Sequence, residues 1–292
     1  MPAAPFGQRL AAAMAERGRL CAGIDPHASL LEAWGLEDDI AGLESFSRRA
    51  VEAIAPHCSV VKPQAAFFER HGSRGVAVLE RVIADARAAG ALVLLDVKRG
   101  DIGSTSQAYA DAYLAPRSPL AADAITVSPY LGFGSLTPFV ETARAYGAGL
   151  FVLAATSNPE GPEFQRAVTT TVFGGAEVAQ TVLDHLARLN ADGRADRSDP
   201  GVLGSFGAVV GATVDPAGLE LAIGGPLLAP GYGEQGGTVA DLQRIFGAAA
   251  PSVLASSSRA ILRRGPDAAA MTAAVQQAND ELRALASPEG LG

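Results

Sequence analysis

The sequence predicts an α/β fold, a (β/α)8 TIM barrel forming a single domain over residues 1–292. Three observations lead there. Short apolar runs recur along the whole chain, enough for eight strands. They are continuously apolar rather than alternating, as in parallel strands covered on both faces. Alanine-rich stretches with helical periodicity separate most of them, and eight such units suit the usual length of a closed barrel. A doubly wound open sheet is the structural alternative.

The opening stretch MPAAPFGQRLAAAMAERGRL has its alanines broken by Arg9, Glu16 and Arg17. It reads as an amphipathic helix and not as a signal peptide. Strands are expected at LCAGID (20–25), SVVKPQ (59–64), ALVLLDVK (91–98) and AITVSPY (124–130). Four more are expected at GLFVLAATS (149–157), GAVVGAT (207–213), PLLAPG (226–231) and SVLASSS (252–258). The helices expected with them cover 43–55, 74–89, 104–114, 136–146, 175–190, 216–223, 238–248 and 267–286. The charged stretch NADGRADRSDPG (190–201) reads as a surface excursion before the sixth strand rather than a domain boundary.

Composition narrows the partners. Lys and Arg total 23 against 31 Asp and Glu, a net charge of −8. That balance argues against a nucleic-acid backbone or an acidic membrane surface, while a small anionic ligand needs only a local positive site. Two cysteines, Cys21 and Cys58, are too few for a disulfide framework, and no C-x-x-C pair suggests a metal or redox site. No apolar run reaches the roughly 18 residues of a membrane span. The expected compartment is the cytoplasm.

The chemistry concentrates in LLDVKRGDIGST (94–105). Residues two apart on a strand share a face, so Asp96 and Lys98 point one way and Val93, Leu95 and Val97 the other. The apolar set suits the outer helices. The charged pair then faces the barrel interior at the strand's C-terminal end, where barrel active sites lie. Asp101 falls in the next loop, and Ser104 or Thr105 is expected to cap the helix that follows. Other strands end in polar residues at the same side: Asp25, Lys62, Ser157 with Asn158, and Thr213. Singly, each reads equally well as a cap, a turn residue or surface polarity; their shared position argues for a site. Two late loops add a phosphate cradle. APGYGEQGGT (229–238) and ASSSRAI (255–261) combine glycines, three serines and Arg259 at expected helix starts. Barrels often bind phosphate after strands seven and eight.

The spacing D-x-K-x-x-D followed by I-x-x-T, here Asp96, Lys98, Asp101, Ile102 and Thr105, resembles the active-site signature of the orotidine 5′-phosphate decarboxylase family. Asp25 and Lys62 upstream, and APGYG and SSSRAI downstream, fall in the family's order. The resemblance runs through nearly the whole chain. SPYLG, TSNP and PGYG are similar to the longer bacterial subgroup, while 159–175 and 190–201 depart from shorter members.

The resemblance implies a step of pyrimidine biosynthesis, loss of CO2 from orotidine 5′-phosphate to give uridine 5′-phosphate, with neither cofactor nor metal. Lys62, Asp96, Lys98 and Asp101 would form the catalytic array, with Lys98 stabilising and protonating a C6 carbanion. Flanking aspartates suit a lysine acting as a charged proton donor, not a Schiff-base lysine, which must be neutral to attack. Asp25 and Lys62 would contact the ribose hydroxyls and Ser157 the pyrimidine edge. Gln235 and Arg259 would hold the phosphate, with Ser258 beside them. A homodimer is implied, Asp101, Ile102 and Thr105 reaching into the neighbouring site. Two readings compete. In a magnesium-dependent sugar-phosphate lyase or aldolase, Asp25, Asp96 and Asp101 would be ligands, but lysines among them would oppose a cation. A non-catalytic phosphate-ligand barrel has no need of the charge array.

Overall fold

Eight parallel strands pair in chain order and close into a barrel. The computed structural model describes residues 4–171, 174–192, 203–233 and 236–286. The chain opens with α1 (Phe6–Arg17), β1 (Leu20–Ile24), α2 (Ala28–Ala33), α3 (Ile40–Ile54) and β2 (Val60–Pro63). Next come α4 (Ala65–Glu69), α5 (Gly72–Ala88), β3 (Leu92–Arg99), α6 (Gly103–Leu114), β4 (Ala124–Val127) and α7 (Thr137–Tyr146). After these lie β5 (Gly149–Ala155), α8 (Pro162–Gln165), α9 (Val178–Asp192), β6 (Phe206–Val210) and β7 (Leu227–Pro230). The last elements are α10 (Val239–Phe246), β8 (Val253–Ser257), α11 (Arg259–Leu262) and α12 (Ala268–Leu282). The closed barrel is as expected; most strands are shorter than expected at their ends, while β3 runs one residue further and β6 begins one residue earlier.

Strand parity divides the core in two. Val93, Leu95 and Val97 of β3, like Leu20, Ala22 and Ile24 of β1, join the large cluster between barrel and helices. The alternate residues Cys21, Val60, Leu94, Ala124, Phe151, Val209, Leu228 and Leu254 fill the barrel's interior. Phe6, Leu10 and Met14 lie four apart on one face of α1 and complete that inner cluster, so α1 closes the barrel's N-terminal end. Phe6 meets Phe151 edge to face, with ring centroids 6.0 Å apart. A Cβ at Gly149 would come within 2.2 Å of the Phe6 ring, so only glycine lets α1 seat. Asp39 and Asp267 cap α3 and α12, and Thr238 with Asp241 forms a capping box on α10.

Three sequence expectations change. Residues 216–223 form turns, not a helix. Leu219, Leu221 and Ile223 are spaced by two rather than at helical intervals, and Pro216 and Gly218 interrupt a segment too short to nucleate a helix. Buried Asn190 of α9 anchors this connection instead, donating to Phe206 O and Ile223 O at 2.8 and 3.0 Å. Neither Ser104 nor Thr105 caps α6; Ile102 occupies that position and makes no side-chain cap bond. Thr213 lies three residues past the end of β6 and is exposed, so it does not end a strand at the site. Of the stretch 190–201, Asn190 to Asp192 close α9, and the rest lies outside the described residues.

Candidate active site

The inward-facing positions of β2 and β3 change character within one pleat. Val60 is followed by Lys62, and Leu94 by Asp96 and then Lys98. Lys62 Nζ donates to Asp96 Oδ2 at 3.1 Å, and Lys98 Nζ to Asp96 Oδ1 at 2.6 Å. The Lys62 and Asp96 side chains are each 8% exposed, that of Lys98 47%. Lys98 is therefore the member most open to the cavity, and Lys62 and Asp96 are held more deeply beside it. Burial works against the charge of Lys62, but Asp96 and then Asp25 outweigh it and push the ammonium above its ordinary range. Burial likewise works to raise Asp96. Lys62 and Lys98 outweigh it, aided by hydrogen bonds from Lys98 and Thr126, and hold the carboxyl well below the usual carboxylate range. Lys62 and Asp96 remain ions together because each buried charge has its partner.

The backbone at Lys98 is unusual. Its φ is +45°, the one positive φ outside glycine among the described residues. For an ordinary side chain that conformation costs about 1–2 kcal/mol. It coincides with a break in pairing between β3 and β4, where register passes from Leu95–Ile125 to Arg99–Val127. On its outer side Arg99 holds the strand end, pairing with Glu69 and lying 5.7 and 5.8 Å from the rings of Tyr109 and Tyr113.

These charges open into a cavity of about 500 Å³ at the C-terminal end of the barrel. Its two sides differ. Asp25, Lys62, Asp96 and Lys98, with the hydroxyl of Thr126, form a charged and polar wall from β1 to β4, while Leu153, Val209 and Leu228 supply apolar surface from β5 to β7. Asp25 Oδ1 and Ser258 Oγ are buried in this cavity without a hydrogen-bond partner. Buried polar atoms are nearly always paired, so these two unpaired oxygens mark the β1 and β8 side of the cavity as polar. Gly231, at φ +101°, turns the backbone out of β7 along the cavity's edge, and Arg259 at the start of α11 lines it too.

Of the residues singled out from sequence, Asp25, Lys62, Asp96, Lys98, Ser157, Ser258 and Arg259 meet around this one cavity. Asp101, Ile102 and Thr105 do not line it. Asp101 accepts the Ile102 N–H at 2.8 Å, Ile102 is 61% exposed, and Thr105 is exposed on α6. Gln235 lies outside the described residues. Asp25, Asp96 and Asp101 therefore do not assemble into a ligand set, and no other group of three potential metal-binding side chains does so among the described residues. Sequence reasoning passed over His27, Gln64, Thr126 and Thr156, which also line the cavity. The two-residue parity that pairs Asp96 with Lys98, applied from Asp25 and Lys62, points to His27 and Gln64.

Residues 18–274 match the model of the orotidine 5′-phosphate decarboxylase / HUMPS family, and the chain belongs to that family. It is 68% identical over 280 residues to the orotidine 5′-phosphate decarboxylase of Nocardioides sp., covering 96% of this chain and 99% of the relative. The Streptomyces coelicolor orotidine 5′-phosphate decarboxylase is 60% identical over 280 residues, covering 96% and 97%. A crystal structure from Streptomyces avermitilis, assigned as an orotidine 5′-phosphate decarboxylase, superposes with a TM-score of 0.92 at 60% identity, covering 98% of this chain and 97% of the other. Leishmania donovani OMP decarboxylase gives a TM-score of 0.73 at 31% identity, covering 97% and 99%.

Proposed function

We propose that this chain is a carboxy-lyase that converts orotidine 5′-phosphate to uridine 5′-phosphate and CO2. The observation that carries the reading is the Lys62–Asp96–Lys98 array, buried at one end and open to the cavity at Lys98. Near-full-length identity to relatives of that name supports it. The lyase and binder alternatives have no comparable support.

The C6–carboxylate bond breaks heterolytically. CO2 departs and the electron pair stays on C6, where no neighbouring group delocalises it well. The Lys98 ammonium, held 2.6 Å from Asp96, stabilises that charge and then transfers a proton from Nζ to C6. Water restores the lysine's proton. A fixed charge needs no solvent reorganisation as the anion develops, and the apolar wall keeps competing water out. Asp25 and Lys62 bind the ribose hydroxyls, Ser157 reads the pyrimidine edge, and Gln235, Ser258 and Arg259 hold the phosphate. Phosphate binding far from C6 supplies energy that orders the site.

Asp101, Ile102 and Thr105 enter this reading through a second copy. They stand on a rim that also exposes Tyr130, Leu131 and Phe164, apolar surface suited to a homodimer interface. In that dimer Asp101 completes the array of the neighbouring barrel. No helix among the described residues is long and apolar enough to cross a membrane, and we place the enzyme in the cytoplasm.

Ultraviolet loss of the orotidylate chromophore, followed with and without EDTA, tests the reading. Equal rates in both are expected. No turnover leaves a binder, and a loss that Mg²⁺ restores means a metal-dependent lyase.

A further inference from the structure

Thr126 sits on β4 with its side chain inside the barrel, 1% exposed, and no part of the family signature named above includes it. Its hydroxyl makes two bonds. Oγ1 accepts the backbone N–H of Lys98 at 2.9 Å and donates to Asp96 Oδ1 at 2.8 Å. The direction is fixed, because a backbone N–H can only donate and an ionised carboxylate can only accept. Asp96 Oδ1 is also the oxygen that receives Lys98 Nζ at 2.6 Å. One hydroxyl thus ties to Lys98 at both ends, directly at its backbone and through Asp96 at its ammonium.

The break in strand pairing explains why a hydroxyl is needed. Between the pairs Leu95–Ile125 and Arg99–Val127, β3 advances four residues while β4 advances two. The surplus chain displaces Lys98 from the regular ladder, its N–H turns to a side chain, and its φ reaches +45°. Arg99 O regains the ladder at once, accepting the Ser128 N–H at 2.8 Å.

We propose that Thr126 is a positioning residue for Lys98. It holds the left-handed backbone in place and orients the carboxylate that aims the ammonium. The proposal rests on the reading of Lys98 as the group that acts at C6. A displacement of about 1 Å in such a group lowers turnover roughly 100-fold.

The experiment compares Thr126→Val, which keeps the shape and removes the hydroxyl, with Thr126→Ser, which keeps the hydroxyl. Thr126→Val should lower kcat about 10- to 100-fold with KM for orotidylate nearly unchanged, and Thr126→Ser should keep most of the turnover. A residue that merely fills the core would show the reverse, Val tolerated and Ser damaging. Should Thr126→Val fail to fold, Thr126→Ala against Thr126→Ser reads the same contrast. Lys98→Ala is measured alongside. If it retains most of its kcat, the reading of Lys98 fails whatever Thr126 does. If it is inactive while Thr126→Val turns over like the wild type, the positioning role alone is overturned.

Discussion

In the lower half of the barrel, the interior holds Val60, Leu94, Ala124, Phe151, Leu228 and Leu254, closed off by Phe6 and Leu10. Two residues further along the same strands, about 6.6 Å higher, Val60 gives way to Lys62, Leu94 to Asp96 and Ala124 to Thr126. On the far side the change is weaker, since Phe151 is followed by Leu153, and Val209 and Leu228 reach the cavity themselves. The lower layer is held by packing and the upper by three ions and a hydroxyl. Neither arrangement suffices for the other's task. The apolar floor keeps water from beneath the ions, so their attraction is strong enough to hold Asp96 ionised in spite of burial. The ions in turn make a poor source of stability, since a buried pair barely repays its desolvation. The upper layer is built for chemistry on a base of packing.

The largest effect should come from removing the acting ion. Lys98→Ala should lower kcat by at least about 10⁴-fold, the product of a lost proton donor and a lost electrostatic contact. Uridine 5′-phosphate should still bind, as followed by calorimetry. Retention of most of the turnover would mean that the exposed lysine is not the proton donor.

Arg259→Ala comes next. Losing a charge-assisted contact to phosphate should raise KM roughly 10- to 100-fold, with a smaller loss in kcat. A large kcat loss at unchanged KM would instead put Arg259 in the charged layer's chemistry.

Mixing two inactive variants, Lys98→Ala and Asp101→Ala, tests whether the upper layer is complete within one chain. In the proposed homodimer, random exchange would give about half heterodimers, each with one intact site in two, so about a quarter of wild-type activity should return. Background activity after heterodimers have been shown to form would place Asp101 in its own subunit's site.

The same contrast shows what the sequence makes legible. Parity turns Asp96 inward and Leu95 outward, because a strand's faces follow from its period of two, and it also anticipates that Lys98 joins Asp96, although the register breaks there. The apolar layer is legible as well, since buried parallel strands carry uninterrupted apolar runs. Thr126 is not. Within AITV it reads as one more β-branched strand former, and only the register jump beside Lys98 gives its hydroxyl two partners. The 216–223 segment misleads for a related reason. Leu221 and Ile223 are buried and Leu219 partly so without a helix, so the apolar run reflects tertiary packing, not helical periodicity.

Phe151→Ala should have the smallest effect on turnover and a large one on stability. Phe151 lies in the lower layer, fully buried, packed edge to face against Phe6 and absent from the cavity's lining. Truncation removes the whole ring from a cluster whose other members, among them Leu94, Val209 and Leu254, are fixed on paired strands and close poorly around the void. The expected loss is about 3–5 kcal/mol, read as a lower midpoint of chemical denaturation with the same slope. Well below its melting temperature the folded variant still presents Lys62, Asp96 and Lys98 in place, and kcat and KM should stay within about threefold of wild type, since an independent site adds no term to the barrier. Lys98→Ala should do the converse, silencing turnover while the denaturation midpoint moves little, because its side chain is half exposed. A Phe151→Ala protein that is stable but catalytically poor would break the division, showing that the packed layer sets the aim of the ions above it and does more than support them.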